Sequence, residues 1–377
     1  MKGKQGLVCM GLLLVLSSCH TGKQITASGL QRKDFQTEVN GQHTDLFTLS
    51  NKQGMEVCIT NYGARVVSIL VPDRNGKRED VVCGFSTITE YMEQRQNFGS
   101  TVGRYIGRIL NARFTLDGVE YKLVPNNGKS GHISHGGNPG FADRIWKVEQ
   151  ADTHRVCLSY LSPDGENGFP GNLKVTLVYS LGEDDNALDL TYEATTDAPT
   201  VLNLSHHSFF NISGNFTKSV EDQQLWVDAD RFTPYDDKKC VTGEYLPVAG
   251  TPLDFRMPHT IGECIDADHP QLKVVNGYDH TWELNTKGDD TRPAAWVYDP
   301  ASGRKMEIFT TEPGIQIYTG NGLKGKMTGK GGIAYPFRSA VCFETMHFQD
   351  SPNQPGFPST VLRPGEVFRS HTVYKFE

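Results

Sequence analysis

The chain has 377 residues, of which 37% are hydrophobic and 21% are charged. These proportions exclude a collagen-like, coiled-coil or intrinsically disordered protein, and a chain of this length buries enough apolar surface to be stable without disulfides. The formal net charge is −7 and becomes −9 without Lys2 and Lys4. Because nucleic-acid binding requires clustered Lys and Arg to neutralise phosphates, the acidic balance argues against that class of partner.

The first 18 residues have the features of a secretory signal peptide. Lys2 and Lys4 precede an apolar run over residues 7–16, and Ser17 and Ser18 follow it. The run is about half the ~20 residues that a membrane-spanning helix needs, whereas the positive start and short apolar stretch are typical of a signal. We therefore predict a signal peptide over residues 1–18.

The end of this segment, Leu16-Ser17-Ser18-Cys19, resembles the bacterial lipobox. The resemblance implies that Cys19 becomes the lipid-modified first residue of the mature chain. We expect residues 19–33 to form a flexible tether and residues 34–377 to form one domain. The predicted location is the periplasmic side of a bacterial membrane, with Cys19 as the only membrane attachment, and the sequence does not distinguish the inner from the outer membrane.

Six cysteines follow Cys19, and none of them belongs to a C-x-x-C pair. Thioredoxin-like and zinc-ribbon proteins therefore have no support. Four of the six lie in apolar, strand-like runs, where a free thiol packs as a small core residue: Cys58, Cys83, Cys157 and Cys342. Cys240 and Cys264 either form a disulfide in an oxidising compartment or stay free, and the sequence leaves both alternatives open.

Turn signals and short apolar runs alternate along the rest of the chain. Asn-Gly and Asp-Gly dipeptides, which supply the positive φ angles of tight hairpins, separate runs rich in Val, Ile, Thr, Tyr and Phe. The predicted strands, in chain order, cover residues 55–59, 65–71, 156–161, 173–181, 187–194, 294–298, 305–310 and 315–318. Helix is predicted only over residues 87–95 and 270–274. The pattern predicts an all-β protein, a large antiparallel β-sandwich whose sheets pack face to face.

Two glycine-containing segments place basic side chains beside flexible backbone. Residues 103–108 contain Arg104 and Arg108, and one guanidinium is available to a ligand unless both pair with surface acids. Residues 132–137 contain His135 followed by two glycines, which let the backbone approach a ligand closely. A purely structural histidine is the alternative there.

Three further segments place titratable groups inside strands or turns. His206 and His207 are adjacent, so in a strand they point to opposite faces and only one faces a given site; this makes them weak evidence for zinc. Asp279 lies in a turn beside aromatic residues. Glu344 lies in an apolar strand, where a buried carboxyl is costly unless it is hydrogen-bonded or functional. Burial would also raise the pKa of Glu344 and suit it to proton transfer.

Together these groups describe a polar site with His, Asp, Glu and Arg and without the motifs of other enzyme classes. Metal-ligand spacing, a phosphate-binding loop, a dinucleotide fingerprint and a nucleophile elbow are all absent from the sequence. Such an inventory suits a neutral, hydroxylated ligand. The residues by themselves thus indicate a sugar-acting or sugar-binding β-sandwich.

In this order, the segments resemble the aldose 1-epimerase (galactose mutarotase) family over nearly all of residues 34–377. The resemblance depends on short motifs that occur in register: Asn61-Tyr62-Gly63-Ala64, Asp80-Val81-Val82-Cys83-Gly84-Phe85, Gly103 to Arg108, His135-Gly136-Gly137, Asn203-Leu204-Ser205-His206-His207-Ser208, Gly277-Tyr278-Asp279-His280, Thr311-Glu312-Pro313-Gly314, Phe343-Glu344-Thr345 and Asp350-Ser351-Pro352-Asn353.

The resemblance implies a β-supersandwich that interconverts the α and β anomers of free aldoses such as galactose and glucose without a cofactor. We expect a monomer, although the sequence does not establish the oligomeric state. Glu344 takes the position of the general base and His207 that of the general acid. His135 resembles a second histidine at the sugar ring, and Arg108, Asp279 and Gln316 resemble residues that hold hydroxyl groups. Gly107 departs from the family pattern, which has Asn there, and this puts one hydroxyl contact in doubt.

The sequence leaves several alternatives open. A noncatalytic sugar-binding module would not need both Glu344 and His207, a glycoside hydrolase would use two carboxylates such as Asp279 and Glu344, and a sugar-phosphate epimerase would add basic residues at the site. The preferred aldose and the binding of a calcium ion are not readable from the sequence.

Overall fold

The computed structural model describes residues 24–377 and contains two short α-helices, α1 (Ile88–Gln94) and α2 (Pro270–Val275), at the two predicted positions. Helix α1 begins at a capping box in which Thr87 and Glu90 exchange side-chain-to-backbone hydrogen bonds, and α2 begins with Pro270 in its first turn. Short 3₁₀ turns occur at Arg32–Phe35, Leu110–Ala112, Gly128–Ser130, Phe141–Asp143, Glu166–Gly168, Ile261–Glu263, Lys330–Gly332 and Ser351–Asn353. Within residues 24–377, no helix has the length and apolar character needed to cross a membrane.

The remaining elements are β-strands. The first fifteen are β1 Glu38–Val39, β2 Gln42–His43, β3 Leu46–Ser50, β4 Glu56–Thr60, β5 Arg65–Pro72, β6 Arg78–Asp80, β7 Ser100–Val102, β8 Arg108–Ile109, β9 Arg113–Leu116, β10 Val119–Lys122, β11 Ile133–Ser134, β12 Lys147–Ala151, β13 Arg155–Ser162, β14 Leu173–Leu181 and β15 Ala187–Thr196. The others are β16 Thr200–Val201, β17 Ser205–His207, β18 Phe209–Phe210, β19 Gln224–Val227, β20 Arg231–Thr233, β21 Leu246–Pro247, β22 His259–Thr260, β23 Asp279–Glu283, β24 Ala295–Tyr298, β25 Lys305–Thr310, β26 Gly314–Tyr318, β27 Val341–Met346, β28 Val361–Leu362 and β29 Phe368–Phe376.

Three larger sheets organise these strands. A nine-stranded sheet has the order β12-β13-β14-β15-β29-β25-β24-β19-β22, a six-stranded sheet the order β18-β27-β26-β23-β20-β21, and a four-stranded sheet the order β3-β4-β5-β6. Two-stranded ladders join β1 with β2, β9 with β10, β8 with β11, β16 with β28 and β7 with β17. The predicted all-β, antiparallel fold is thus confirmed.

One hydrophobic cluster joins the three larger sheets. Strand β14 alternates between buried and less buried positions, so Leu177 and its alternate neighbours enter the cluster, as the period of two in a strand requires. Ile308 contributes from β25, Phe343 from β27 and Ile69 from β5. Tyr374 of β29 fixes the nine- and six-stranded sheets to each other, because its hydroxyl donates to the Phe343 carbonyl at 2.9 Å.

Strand β27 of the six-stranded sheet is buried on both faces, and this positions the site. In β27 all six residues are buried: Val341 and Phe343 face the hydrophobic cluster, so alternation turns Cys342, Glu344 and Met346 to the opposite face. Strands β26 and β23 follow the same rule, with Ile315, Ile317 and Trp282 in the cluster. Their alternate residues therefore form a second, polar face.

Residues 24–33 pack onto the domain, whereas the sequence analysis assigns them to a flexible tether. The backbone N–H of Ala27 donates to Glu56 Oε1 at 2.7 Å, Ile25 and Gln31 form a β-bridge, and the side chains of Thr26 and Leu30 are buried. The tether therefore does not include residues 24–33. The predicted signal peptide and Cys19 lie outside the described residues.

The two cysteines for which the sequence left a disulfide open both have free thiols. Cys240 and Cys264 are unpaired cysteines, and the Cys240 thiol lies 3.2 Å from Nε2 of His132 instead. Of the four cysteines expected in the core, Cys58, Cys83 and Cys342 are buried and Cys157 is partly exposed.

Candidate active site

A cavity of about 270 Å³ lies on the polar face of the six-stranded sheet. All seven residues that the sequence analysis assigns to the site line it: Gly107, Arg108, His135, His207, Asp279, Gln316 and Glu344. They come from loops and strands that are far apart in the sequence. The structure therefore brings the predicted site residues together in one cavity.

Three neighbouring strands supply the carboxyl and amide groups. Gln316 pairs in register with Glu344 on one side and with Thr281 on the other. Its Nε2 donates to Asp279 Oδ1 at 2.6 Å, while its Oε1 accepts from the Thr281 hydroxyl. Because both ends of the amide are engaged, the orientation of Gln316 is determined and Asp279 is held beside it.

His207 is held between two side chains of β27. Its Nε2 lies 3.5 Å from Glu344 Oε1 and its Nδ1 lies 3.6 Å from Cys342 Sγ. The ring stacks on Phe209, with centroids 5.1 Å apart, which leaves little freedom of rotation. The exposed fraction is 6% for His207 and 4% for Glu344, so solvent screens their interaction weakly.

His135 meets His207 edge to face, with ring centroids 5.4 Å apart. The backbone can bring it there because Gly136 has φ +78° and a Cβ at that position would lie 2.0 Å from the Gly103 carbonyl oxygen. The Gly107 N–H donates to Nδ1 of His135 at 3.4 Å. The neutral ring therefore carries its proton on Nε2, which makes it a donor to a ligand.

Burial controls the protonation of the site. It raises the pKa of Glu344 well above its ordinary value, and the Asp279 carboxylate raises it further while Arg108 opposes this. Burial lowers the pKa of His207 to about 4 and that of His135 to about 3. By themselves these directions favour a neutral pair, in which Glu344 holds the proton that it shares with His207.

A carboxylate with an imidazolium contains the same number of protons as a carboxyl with a neutral imidazole. The His207–Glu344 pair can therefore move its proton between the two groups without exchanging one with solvent. A bound ligand that hydrogen-bonds the charged forms would favour the ionised pair, whereas burial by itself favours the neutral one. The pair can both give and take a proton at one ligand.

Gly107 lines the cavity where the family pattern has Asn, and Gln349 occupies the adjacent space. Gly107 has φ +74°, and a Cβ there would lie 2.5 Å from Gln349 Cγ. Gln349 accepts from the Arg108 N–H at 3.2 Å and donates to the Tyr235 hydroxyl at 2.7 Å. Gln349 was not predicted from the sequence, because no local pattern connects it with Gly107.

Other lining residues were also missed: Gln96, Asn97, Ser134, Phe209, Tyr318 and Met346. Phe209, Tyr318 and Met346 were detectable in principle. They lie two residues from His207, Gln316 and Glu344 respectively, and alternation in a strand puts such residues on the same face. Gln96, Asn97 and Ser134 carry no comparable signal.

Two basic residues that belong to the same motifs as the site residues do not line the cavity. Arg104 is buried away from the cavity, and its guanidinium donates to Ser162 Oγ and to the carbonyls of Pro170 and Gly171. His206 points to the opposite face of β17, where its Nε2 lies 2.6 Å from Ser208 Oγ. Both are structural residues, whereas Arg108 and His207 face the cavity.

One group of potential metal ligands occurs in the described part of the chain: His207, Cys342 and Glu344, with donor atoms within 4.8 Å of one another. The group fits a metal poorly. In His207, Nδ1 faces the thiol of Cys342 and Nε2 faces the carboxyl of Glu344. One ion can therefore contact the ring together with both of these groups only if the ring turns. Calcium in particular requires several oxygen ligands, and this group has one carboxyl.

The comparisons agree with this geometry. The aldose 1-epimerase family model matches residues 45–375. The galactose mutarotase of Sus scrofa is 39% identical over 330 residues, which is 88% of this chain and 93% of that protein. The aldose 1-epimerase of Escherichia coli is 36% identical over 339 residues, 89% of this chain and 96% of that protein.

Solved structures have the same fold. The GalM/aldose epimerase homologue from C. elegans superposes with a TM-score of 0.81 at 31% identity, covering 89% of this chain and 99% of that one. The galactose 1-epimerase from Lactobacillus acidophilus gives a TM-score of 0.79 at 28% identity, covering 90% and 96%. With most of its length matched by the family and by these relatives, the chain belongs to the aldose 1-epimerase family.

Proposed function

We propose that this chain interconverts the α and β anomers of free aldoses, including aldohexoses such as galactose and glucose, by acid–base opening and closing of the sugar ring. The observation that carries the proposal is the buried His207–Glu344 pair, with Nε2 and Oε1 3.5 Å apart, at a cavity lined by hydrogen-bonding side chains. Such a pair supplies an acid and a base to the same ligand.

Ring opening uses the ionised form of the pair. Glu344 accepts the proton of the C1 hydroxyl while Nε2–H of His207 protonates the ring oxygen, and the bond between C1 and the ring oxygen breaks to leave an aldehyde. Positioned proton transfers of this kind each contribute on the order of 10²–10⁴ in rate. The pair is then neutral, with the proton on Glu344 and Nε2 without one.

Ring closure uses this neutral form. Rotation about the C1–C2 bond presents the other face of the carbonyl, the C5 hydroxyl attacks C1, Nε2 of His207 takes its proton, and Glu344 protonates the new C1 hydroxyl oxygen. The ionised pair therefore opens the ring, the neutral pair closes it, and closure restores the ionised pair. Because the protein's own groups make both transfers, the reaction requires no cofactor.

The other predicted residues hold the sugar. Arg108, Asp279, Gln316 and His135 present donors and acceptors to the cavity, and we assign them to the sugar hydroxyls. Gly107 offers no side chain to the sugar, and Gln349 occupies the space beside it. The acid, the base and the residues assigned to the sugar all belong to this chain, and we propose a monomer as the functional unit.

The site argues against the alternative enzyme classes. A retaining or inverting glycosidase needs two carboxyl groups across the bond that is cleaved, but Asp279 is engaged by Gln316 and the ionisable partner of Glu344 is a histidine. A sugar phosphate requires several cations, and Arg108 is the one Lys or Arg among the residues that line the cavity. A noncatalytic module has no use for a buried acid–base pair.

Polarimetry tests the proposal directly. Purified protein is added to freshly dissolved α-D-galactose and α-D-glucose, and we expect the optical rotation to reach equilibrium faster in proportion to the enzyme concentration. The same preparation is tested for release of nitrophenol from a nitrophenyl galactoside, where we expect none. Hydrolysis of the glycoside, or no acceleration with any free aldose, would overturn the proposal.

We further propose that the protein is exported and anchored through a lipid on Cys19, with the domain on the periplasmic side. Lys2, Lys4, the apolar residues 7–16 and the lipobox-like Leu16-Ser17-Ser18-Cys19 support this. In a bacterial host, Cys19→Ala is expected to move the protein out of the membrane fraction and to abolish labelling by a radioactive fatty acid. Wild-type protein that is unlabelled and found in the soluble fraction would contradict the anchor.

A further inference from the structure

The imidazole of His207 is held by two alternate residues of one strand. Cys342 and Glu344 lie two positions apart in β27, so their side chains share a face. The thiol sulfur lies 3.6 Å from Nδ1, and the carboxyl oxygen lies 3.5 Å from Nε2 on the other side of the ring. The proposed function uses Glu344 and Nε2, but it gives no role to Cys342.

This inference rests on the proposed function, whose catalytic cycle requires a proton on Nδ1 of the neutral His207 ring. In ring closure the neutral His207 must take a proton at Nε2, so Nε2 must be bare and the remaining ring proton must stay on Nδ1. The opposite tautomer, with its proton on Nε2, cannot accept there. Which nitrogen of a neutral imidazole carries the proton is set by the hydrogen bond that the other nitrogen makes.

We propose that Cys342 is a positioning residue whose sulfur accepts a hydrogen bond from Nδ1–H of His207 and so holds the ring in the tautomer that keeps Nε2 available to the sugar. A thiol sulfur is a weak acceptor as well as a weak donor. The distance of 3.6 Å suits an N–H···S contact, and the buried ring is stacked on Phe209, so it cannot turn to find another partner.

The thiol is suited to this role because it is neutral. Burial raises the pKa of Cys342 well above its ordinary value, and the nearby Glu344 carboxyl raises it further. A neutral acceptor orients Nδ1–H without adding a buried charge that would hold His207 permanently as an imidazolium. The backbone carbonyl of His207 also favours the protonated ring, and this contribution remains when Cys342 is replaced.

Three variants test the inference. Cys342→Ala removes the acceptor, Cys342→Ser replaces sulfur by an oxygen that also accepts, and Cys83→Ala removes another buried free thiol from the hydrophobic cluster that contains Cys342. Each variant is compared with wild type by thermal unfolding, by kcat and KM in polarimetry, and by ¹⁵N NMR of protein labelled in its histidine rings. The His207 signals are identified as those missing from His207→Asn.

We expect the neutral His207 ring of the wild type to carry its proton on Nδ1. Cys342→Ala should populate the other tautomer and lower kcat about tenfold, the smaller end of the 10–100-fold losses typical when the hydrogen-bond partner that orients a metal-bound histidine is removed, with little change in KM. Cys342→Ser should restore kcat to within about threefold of wild type. Cys83→Ala should lose a similar amount of stability while keeping the wild-type kcat and tautomer.

A wild-type ring with its proton on Nε2 would overturn the inference, because the thiol would then be the donor. Wild-type kcat in a folded Cys342→Ala protein would also overturn it. Neither result touches the proposed function, which fails separately if the wild-type protein does not accelerate mutarotation. The NMR measurement needs no catalysis and thus keeps the two questions apart.

Discussion

Nε2 of His207 and Oε1 of Glu344 lie 3.5 Å apart, and both side chains are almost completely buried. Burial moves their pKa values in opposite directions, raising that of Glu344 and lowering that of His207 to about 4. Burial by itself therefore favours the neutral form of each group. In the proposed mechanism the sugar supplies the hydrogen bonds that favour the ionised pair, so substrate binding would prepare Glu344 to act as the base.

Removal of the carboxylate tests this arrangement. Glu344→Gln keeps the size of the side chain but cannot accept a proton, so we expect kcat to fall at least ~10²-fold with a modest change in KM. Polarimetry on the purified variant measures both parameters. The prediction is contradicted by mutarotation near the wild-type rate in a protein whose thermal unfolding shows that it is folded.

The two adjacent histidines should differ in their roles. His207→Asn is expected to lower kcat by at least ~10²-fold and to change the pH–rate profile, because it removes the proposed acid. His206→Asn should keep kcat within about tenfold and lose stability instead, since His206 is buried between Tyr179 and Tyr374 and hydrogen-bonds Ser208. The reverse ranking in polarimetry would assign the acid to His206.

The Asp279 carboxylate should influence the pH dependence of the reaction. It raises the pKa of Glu344, and activity falls at low pH once the His207–Glu344 pair takes up a second proton, because Glu344 can then accept none from the sugar. Asp279→Asn removes the like charge, lowers the pKa of Glu344 and should shift the acid limb of kcat/KM to lower pH. KM should rise as well, because a group proposed to hold a hydroxyl is altered. An acid limb that moves to higher pH would contradict this prediction.

The two arginines of the Gly103–Arg108 segment should separate stability from binding. Arg104→Lys replaces a guanidinium that donates to Ser162, Pro170 and Gly171, so we expect a loss on the order of 2–4 kcal/mol in the free energy of unfolding. Arg108→Lys should leave that free energy nearly unchanged and raise KM about tenfold, equivalent to about 1.4 kcal/mol. Denaturant unfolding and polarimetry on both variants provide the measurement. Equal effects of the two substitutions would contradict the assignment.

An ion-pair cluster outside the site should make stability depend on pH. Hydrogen bonds from His371 to Asp189 and Asp290 raise its pKa from 6.5 to about 8, although burial opposes this. The pKa of His371 is higher in the folded than in the unfolded protein. Its stabilisation of the folded state is therefore complete below pH 6.5 and is lost as pH rises through about 8. His371→Gln should therefore destabilise the protein more at about pH 6 than at about pH 9. His43→Gln, at an exposed histidine, is the control, and a pH-independent difference for His371→Gln would contradict the prediction.

The amino-acid sequence by itself determined that the fold consists of antiparallel strands and located eight of the strands. The predicted strands over residues 173–181 and 305–310 coincide with β14 and β25, and both helices were predicted within one residue at each end. Alternation along a strand also predicts that His206 and His207 face opposite sides, because it is a local property of the backbone, and the resemblance to the family selects His207. The family motifs identify seven of the residues that line the cavity.

Only the tertiary structure decided which distant residues contact the predicted site residues and the first residues of the domain. The contact of Cys342 with Nδ1 of His207, the place of Gln349 beside Gly107 and the packing of residues 24–33 on Glu56 join segments separated by 135, 242 and about 30 positions. The alternation along one strand predicts which face of the sheet a side chain lies on. It does not predict which distant strand packs opposite that face, or in what register. Those are set by the mutual packing of whole sheets, and the protonation of the site depends on them because burial is a property of the assembled cavity.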